Sequence, residues 1–254
     1  MNDLSGFRNR LISREQIIGT FIKTTSHQSV EVVASANLSF IALDAEHSPF
    51  TVKDLDVCIL AAVSRKTPVL VRVPNIDSQY IQNVLDLGAD GIIAPHVNSK
   101  QKALEAVSIS RFGLGEKLGS RGFSNSSRAG NYGRLSISDM INQSDKKTVV
   151  ICQIEDKKGI ENIEEIAEVT GVDCFFIGRA DLAVDMGCTS LEDSKVNEAI
   201  EKVCICAKKF NIPLGIYLQS SEDIALWVNK GFTMFIIGSD QSLLLESLKN
   251  LSAS

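Results

Sequence analysis

Two acids stand just behind two apolar runs in residues 148–182, TVVICQIEDKKGIENIEEIAEVTGVDCFFIGRADL. Glu155 follows VVICQI with Gln153 two residues before it, and Asp181 follows CFFI with Arg179 and Ala180 between. Carboxylates at the ends of successive strands suit a hard divalent cation that keeps open positions for substrate and water. Solvated loop acids are the alternative reading, common in an acidic chain. A second set comprises Asp44, Glu46 and His47 in DAEHSP, and Arg72 at the end of PVLVRV. An arginine carries a fixed charge suited to a carboxylate or a developing enolate oxygen. An imidazole is suited to proton transfer near neutrality, and Asp44 lies close enough in sequence to orient His47. Together these are the parts of a metal-assisted enolate reaction.

Other polar residues near the ends of apolar runs have plainer readings. Lys23 would raise a Schiff-base mechanism, but nothing around it marks a depressed pKa, so it reads as a solvated lysine. Arg72 ends a buried strand, where an unpaired charge is costly; an acid partner such as Glu46 or a bound anion is expected. His96 in APHV reads as part of the wall. Tyr217 either lines an acceptor pocket or packs. Ser239 and Asp240 either cap the last helix or leave its N-terminus to an anion.

These residues need a scaffold that presents strand ends to one side. Strands are expected at residues 17–23, 40–43, 68–73, 91–94, 149–154, 174–177, 213–218 and 233–237. Helical periodicity alternates with them at 28–36, 51–64, 81–87, 100–108, 159–169, 192–210, 221–230 and 241–251, after an N-terminal helix at 3–13. Eight such repeats point to an α/β fold, a TIM (β/α)₈ barrel with an extra N-terminal helix, whose chemistry sits at the carboxyl ends of the strands. Residues 111–147 break the pattern with a Gly-, Ser-, Asn- and Arg-rich segment, GLGEKLGSRGFSNSSRAGNYGRL, read as a functional loop with a short helix at 137–142.

The bulk composition agrees with one enzyme domain over residues 1–254. Hydrophobic residues make up 44% and charged residues 22%. A net charge of −5 with no basic block argues against a nucleic-acid partner. No apolar run approaches the length of a membrane span, and MNDLSGFRNRL lacks the core of a signal peptide. The six cysteines follow no metal or disulfide spacing and are read as reduced thiols of a cytoplasmic protein.

The order and content of six stretches resemble the HpcH/HpaI aldolase family, the metal-dependent class II aldolases of 2-oxo acids. They are LDAEHSP (43–49), PVLVRVP (68–74), VLDLGADGIIAPHV (84–97), QIE (153–155), FIGRADLAVDMG (176–187) and IIGSD (236–240). The resemblance implies that Glu155 and Asp181 bind Mg²⁺ or Mn²⁺, with Co²⁺ also admitted. It implies substrate binding by Gln153, Arg72, Arg179, Ala180 and Tyr217, with Arg72 on the enolate oxygen. His47 and Asp44 would serve proton transfer, supported by Asp86 from a neighbouring subunit. A hexamer built from dimers, with a C-terminal helix swapped between subunits, is implied as well.

The implied reaction is reversible cleavage of a 4-hydroxy-2-oxo acid to pyruvate and an aldehyde. Citrate-lyase-like or citrate-synthase-like use of the same enolate is the alternative, and a non-catalytic binding barrel the alternative of another class. Many family members have Pro where this chain has Arg179, which either reads a distal carboxylate or forms a salt bridge. The segment SRGFSNSSRAGNYG also differs from the dicarboxylate aldolases, so no substrate name is carried over.

Overall fold

Apolar strands with β-branched residues on both faces need cover on both sides, and parallel pairing with intervening helices supplies it. In a computed structural model, which describes residues 6–115 and 118–252, the eight strands close into a parallel barrel in sequence order. They are β1 (Ile17–Ile22), β2 (Phe40–Asp44), β3 (Val69–Arg72), β4 (Gly91–Ala94), β5 (Val149–Ile154), β6 (Cys174–Ile177), β7 (Leu214–Leu218) and β8 (Phe232–Ser239). Each lies within two residues of its expected bounds.

Side chains alternate across a strand, and this parity sorts the apolar residues into two cores. One set faces the helices: Ile41, Leu43, Val69, Val71, Ile92, Val150 and Phe175 belong to the outer core. The other fills the barrel: Phe40, Ala42, Leu70, Ile93, Val149, Ile151, Cys174, Phe176, Met234 and Ile236. Continuing the inward series past the last apolar member gives Asp44 on β2, Arg72 on β3 and Gln153 on β5, all buried. The polar layer at the mouth is thus the top of the same stack that forms the core below it. The N-terminal helix Gly6–Ile12 sends Phe7 and Leu11 into the inner cluster; residues 3–5 of the expected helix lie outside the described residues.

Three local features differ from expectation. The helix expected at 159–169 is two short ones, Lys157–Glu161 and Ile163–Ala167. Asn162 breaks it, turning its side-chain amide to the Asn98 carbonyl at 2.9 Å. A short helix, Arg179–Asp185, starts directly after β6 and holds Asp181 in its first turn. The helix expected at 137–142 extends over Ile137–Lys147, with Met140 and Ile141 buried against Phe112.

The described part of the 111–147 segment is tied to the outside of the barrel. Arg121 pairs with Asp86 at 2.6 Å and lies over the Phe112 ring. Arg128 pairs with Asp56 and donates to the Leu87 carbonyl at 2.7 Å. None of its described residues lines the cavity at the mouth.

Candidate active site

The mouth opens on a cavity of about 450 Å³, the size of a small-molecule site. Its floor is built on strand register. Asp44 and Arg72 are paired positions on β2 and β3, so the two side chains rise side by side. Arg72 donates from Nε and Nη2 to the two Asp44 oxygens at 2.9 and 2.8 Å. The guanidinium lies over the Phe21 ring, 4.5 Å from its centroid, and Phe21 in turn stacks on Tyr217. Burial pushes the Asp44 carboxyl up, but the hydrogen bonds and charge of Arg72 outweigh it, helped by the His47 N–H and Lys23. The carboxyl is held below its ordinary value. Glu46 adds a further contact, 3.4 Å from Arg72 Nε. The acid expected beside Arg72 is therefore Asp44 first and Glu46 second, and Nη1 carries no protein acceptor among the described residues.

His47 lines the cavity with its imidazole half exposed. Asp44 does not grip that ring: it accepts the His47 backbone N–H at 3.2 Å, and its oxygens are otherwise taken by Arg72. Asp44 thus sets the turn on which His47 stands. The carboxylate nearest the imidazole is Glu46, whose Oε2 lies 3.8 Å from Nε2.

Glu155, just past the end of β5, is buried beside Gln153 and Gly178, which line the cavity, and does not itself line it. Gln153 Nε2 donates to Glu155 Oε2, and the His96 backbone N–H donates to Oε1 at 2.7 Å. Gly178 is the residue that lets β6 approach: a Cβ there would stand 2.5 Å from Glu155 Oε2. Burial raises the Glu155 carboxyl above its ordinary value. The hydrogen bonds from His96 and Gln153 and the charge of His96 oppose this, while Glu46 adds to it. Asp181 is exposed and lines the cavity beside Arg179 and Ala180.

Arg179 lines the cavity too, but its guanidinium is engaged within the chain. Nη2 pairs with Glu192 at 2.7 Å and donates to the Leu191 carbonyl at 3.2 Å, and the group lies over Trp227. Of the two readings of Arg179, this geometry is the salt bridge. Lys23 also reaches the cavity, its Nζ 3.9 Å from Asp44 Oδ2. Ser239 caps the last helix by accepting the Ser242 N–H at 3.2 Å. The Asp240 carboxylate instead accepts the backbone N–H groups of Lys23 and Thr24. Asp86, at the end of the helix Ser78–Asp86, is bound to Arg121 and does not line this chain's own cavity.

The model of the HpcH/HpaI aldolase/citrate lyase family matches residues 17–247, from the first strand into the last helix. The chain belongs to that family. Among curated relatives, it is 29% identical to a 5-keto-4-deoxy-D-glucarate aldolase of Shigella boydii, over 97% of this chain and 94% of that one. It is 30% identical to a hydroxypyruvate/pyruvate aldolase of Paraburkholderia phytofirmans, over 97% of both chains. A crystal structure of an HpcH/HpaI aldolase/citrate lyase family protein from Burkholderia cenocepacia superposes with a TM-score of 0.92. The two are 26% identical, and the alignment covers 98% of each chain.

Membership in an aldolase/citrate lyase family raises the question of a cation, and the residues present fit one. Glu155 is a buried carboxylate whose charge burial disfavours, and Gln153 Oε1 beside it is buried without a hydrogen-bond partner. A hard cation takes such oxygen donors. Sequence reading missed Phe21, Leu191, Glu192, Gln219 and Asp223 in the cavity wall. Glu192 and Asp223 sit near helix starts outside β6, and only the tertiary fold brings both to the cavity and Glu192 onto Arg179.

Proposed function

We propose that the protein is a metal-dependent class II aldolase, a carbon–carbon lyase that reversibly cleaves a 4-hydroxy-2-oxo acid to pyruvate and an aldehyde. The observation that carries this reading is the Asp44–Arg72 pair on the cavity floor, with Arg72 Nη1 left for a ligand. Glu155 and Asp181 would hold the divalent cation, with Gln153 beside it. When bound, the cation supplies Lewis-acid polarisation of the 2-oxo group.

The chain's own residues then divide the work. His47 takes the proton of the 4-hydroxyl as the C3–C4 bond breaks and the aldehyde leaves. The bonding electrons move onto C3 and the 2-oxo oxygen, and Arg72 donates from Nη1 to the developing enolate. Returning the proton from His47 to C3 completes pyruvate. Ala180 and Tyr217 bound the space for the substrate, and Arg179 with Glu192 closes the acceptor end.

The family model spans nearly the whole chain, which supports a single aldolase domain. The closing helix Asp240–Ser252 exposes Leu243, Leu244, Leu245, Leu248 and Leu251. Exposed leucines on a helix favour burial between subunits, and the assembly we propose is a homo-oligomer, a trimer of dimers that exchanges this helix and brings Asp86 to a neighbour's His47. Among the described residues no helix is long and apolar enough to cross a membrane. The six cysteines are free thiols, which suits a reducing cytoplasm.

The deciding experiment follows pyruvate methyl protons by NMR in D₂O, with Mn²⁺ or Mg²⁺ and then with EDTA. Metal-dependent exchange that is absent in Glu155→Ala is expected. Absence of exchange under every condition overturns the pyruvate aldolase reading and leaves a citrate-like enolate reaction or a binding role.

A further inference from the structure

A second cavity, about 170 Å³ in volume, lies where the 111–147 segment packs on the end of the helix Ser78–Asp86. None of its lining residues lines the cavity at the mouth. Arg121, Arg128 and Lys147 line it, and among the described residues no acid does. Each cation has an acid outside that lining. Arg121 pairs with Asp86 at 2.6 Å, Arg128 with Asp56 at 2.5 Å and Lys147 with Asp90 at 3.2 Å. The wall of the cavity is therefore basic.

Capping of the helix end accounts for part of this cluster. Arg128 Nη1 donates to the Leu87 carbonyl at 2.7 Å and Lys147 Nζ to the Gly88 carbonyl at 3.2 Å, cations meeting the free carbonyls of a helix C-terminus. Two donors are left over. The Nε atoms of Arg121 and Arg128 are both buried without a hydrogen-bond partner among the described residues. The Arg121 side chain is only 2% exposed; Asp86 takes Nη2 alone, and Nη1 reaches no nearer than 3.4 Å from the Ser144 hydroxyl. An unpaired N–H on a buried charge is costly. Burial lowers the Arg121 guanidinium from its ordinary value, although the hydrogen bond and charge of Asp86 oppose this. An oxyanion would answer both defects, because the planar guanidinium offers Nε and an Nη as a fork that matches two of its oxygens. The Ser144 and Thr148 hydroxyls, 3.2 Å apart in the same lining, add neutral donors. The volume falls short of the ~300 Å³ at which ordinary small-molecule sites begin and suits a single small ion.

We propose that this cavity is a binding site for a small tetrahedral oxyanion, phosphate or sulfate, held by Arg121, Arg128 and Lys147. The two arginines come from the irregular segment and Lys147 from the helix Ile137–Lys147, while Gly88 and Ala89 bring the end of the helix Ser78–Asp86 to the same cavity. One anion therefore ties the segment to the barrel, and its binding stabilises the folded chain.

The test titrates the full-length protein calorimetrically with inorganic phosphate at constant ionic strength, without added metal, and follows the melting temperature in parallel. Binding with a rise in melting temperature is expected. Arg128→Gln removes one fork, and Gln143→Glu puts a negative charge into the lining at an exposed position while leaving all three ion pairs in place. Each is expected to weaken phosphate binding at least about 10-fold, the worth of one charge-assisted hydrogen bond. Arg72→Ala, which alters the cavity at the mouth instead, is expected to leave the affinity within about 2-fold, since exposed charges far apart are screened. Methyl phosphate separates a free anion from an ester and is expected to bind more weakly than phosphate; tighter binding of the ester overturns the free-ion assignment. No phosphate binding by the unaltered protein overturns the proposal. So does binding that survives in both Arg128→Gln and Gln143→Glu, or that is lost in Arg72→Ala.

Discussion

Asp44 and Arg72 stand 28 residues apart in sequence but at one level of two adjacent parallel strands, joined by hydrogen bonds of 2.9 and 2.8 Å. The pairing aims the guanidinium with one edge, Nε and Nη2, taken by the carboxylate and one face by Phe21. Arg72 lines the cavity, and among the described residues its Nη1 has no protein acceptor. A group positioned in this way needs no rearrangement when negative charge develops on a substrate oxygen.

Arg72→Lys keeps the charge and loses the planar fork. Turnover is expected to fall about 100- to 1,000-fold, the usual loss for one preorganised donor. Steady-state kinetics with the natural direction of cleavage check this. A change confined to KM would place Arg72 in ground-state binding only.

The same pair sets an acid limit. The Asp44 carboxyl is held below its unfolded value, so its contribution to stability is complete above the ordinary carboxylate range. It is lost as pH falls through the lower folded value. Melting temperatures of the unaltered protein and Asp44→Asn are expected to differ most at neutral pH and to converge below about pH 4. A gap that stays constant down to pH 3 contradicts this.

Glu192 engages the Arg179 guanidinium at the cavity wall by a pair of 2.7 Å, although its own side chain is 77% exposed. Such a pair adds little stability, so Glu192→Ala should leave the melting temperature nearly unchanged. With the guanidinium freed, kcat/KM for acceptor aldehydes that end in a carboxylate is expected to rise several-fold relative to neutral ones. Equal ratios in both proteins would show that Arg179 does not reach the acceptor.

Leu244 and Leu248 project from the closing helix with 62% and 53% of their surface exposed. Leu244→Glu with Leu248→Glu is expected to lower the molar mass found by sedimentation velocity while the far-ultraviolet circular dichroism stays that of the barrel. An unchanged mass removes this helix from the subunit interface.

The barrel was legible because its strands are short apolar runs such as CFFI and GIIA, bounded by glycine, proline or charge. Helix breaks were not, because Asn162 interrupts its helix for a partner, Asn98, on another βα loop. The candidate site was legible as a set of residue types at strand ends, and the structure gathers Lys23, Asp44, His47, Arg72, Gln153, Arg179, Ala180, Asp181 and Tyr217 around one cavity. Who pairs with whom was not legible. Proximity in DAEHSP suggested that Asp44 orients the His47 ring, whereas strand register delivers its carboxylate to Arg72. His96 read as wall because nothing in APHV announces the left-handed turn that points it at Glu155.

Phe7 and Leu11 pack into the barrel's inner core, and among the described residues the candidate site is reached through the mouth. A donor seated on Arg72 at the floor then has the acceptor between itself and solvent. On the proposed reaction this arrangement makes traffic sequential: in the condensing direction the 2-oxo acid would enter first and the aldehyde second, and in cleavage the aldehyde would depart before pyruvate.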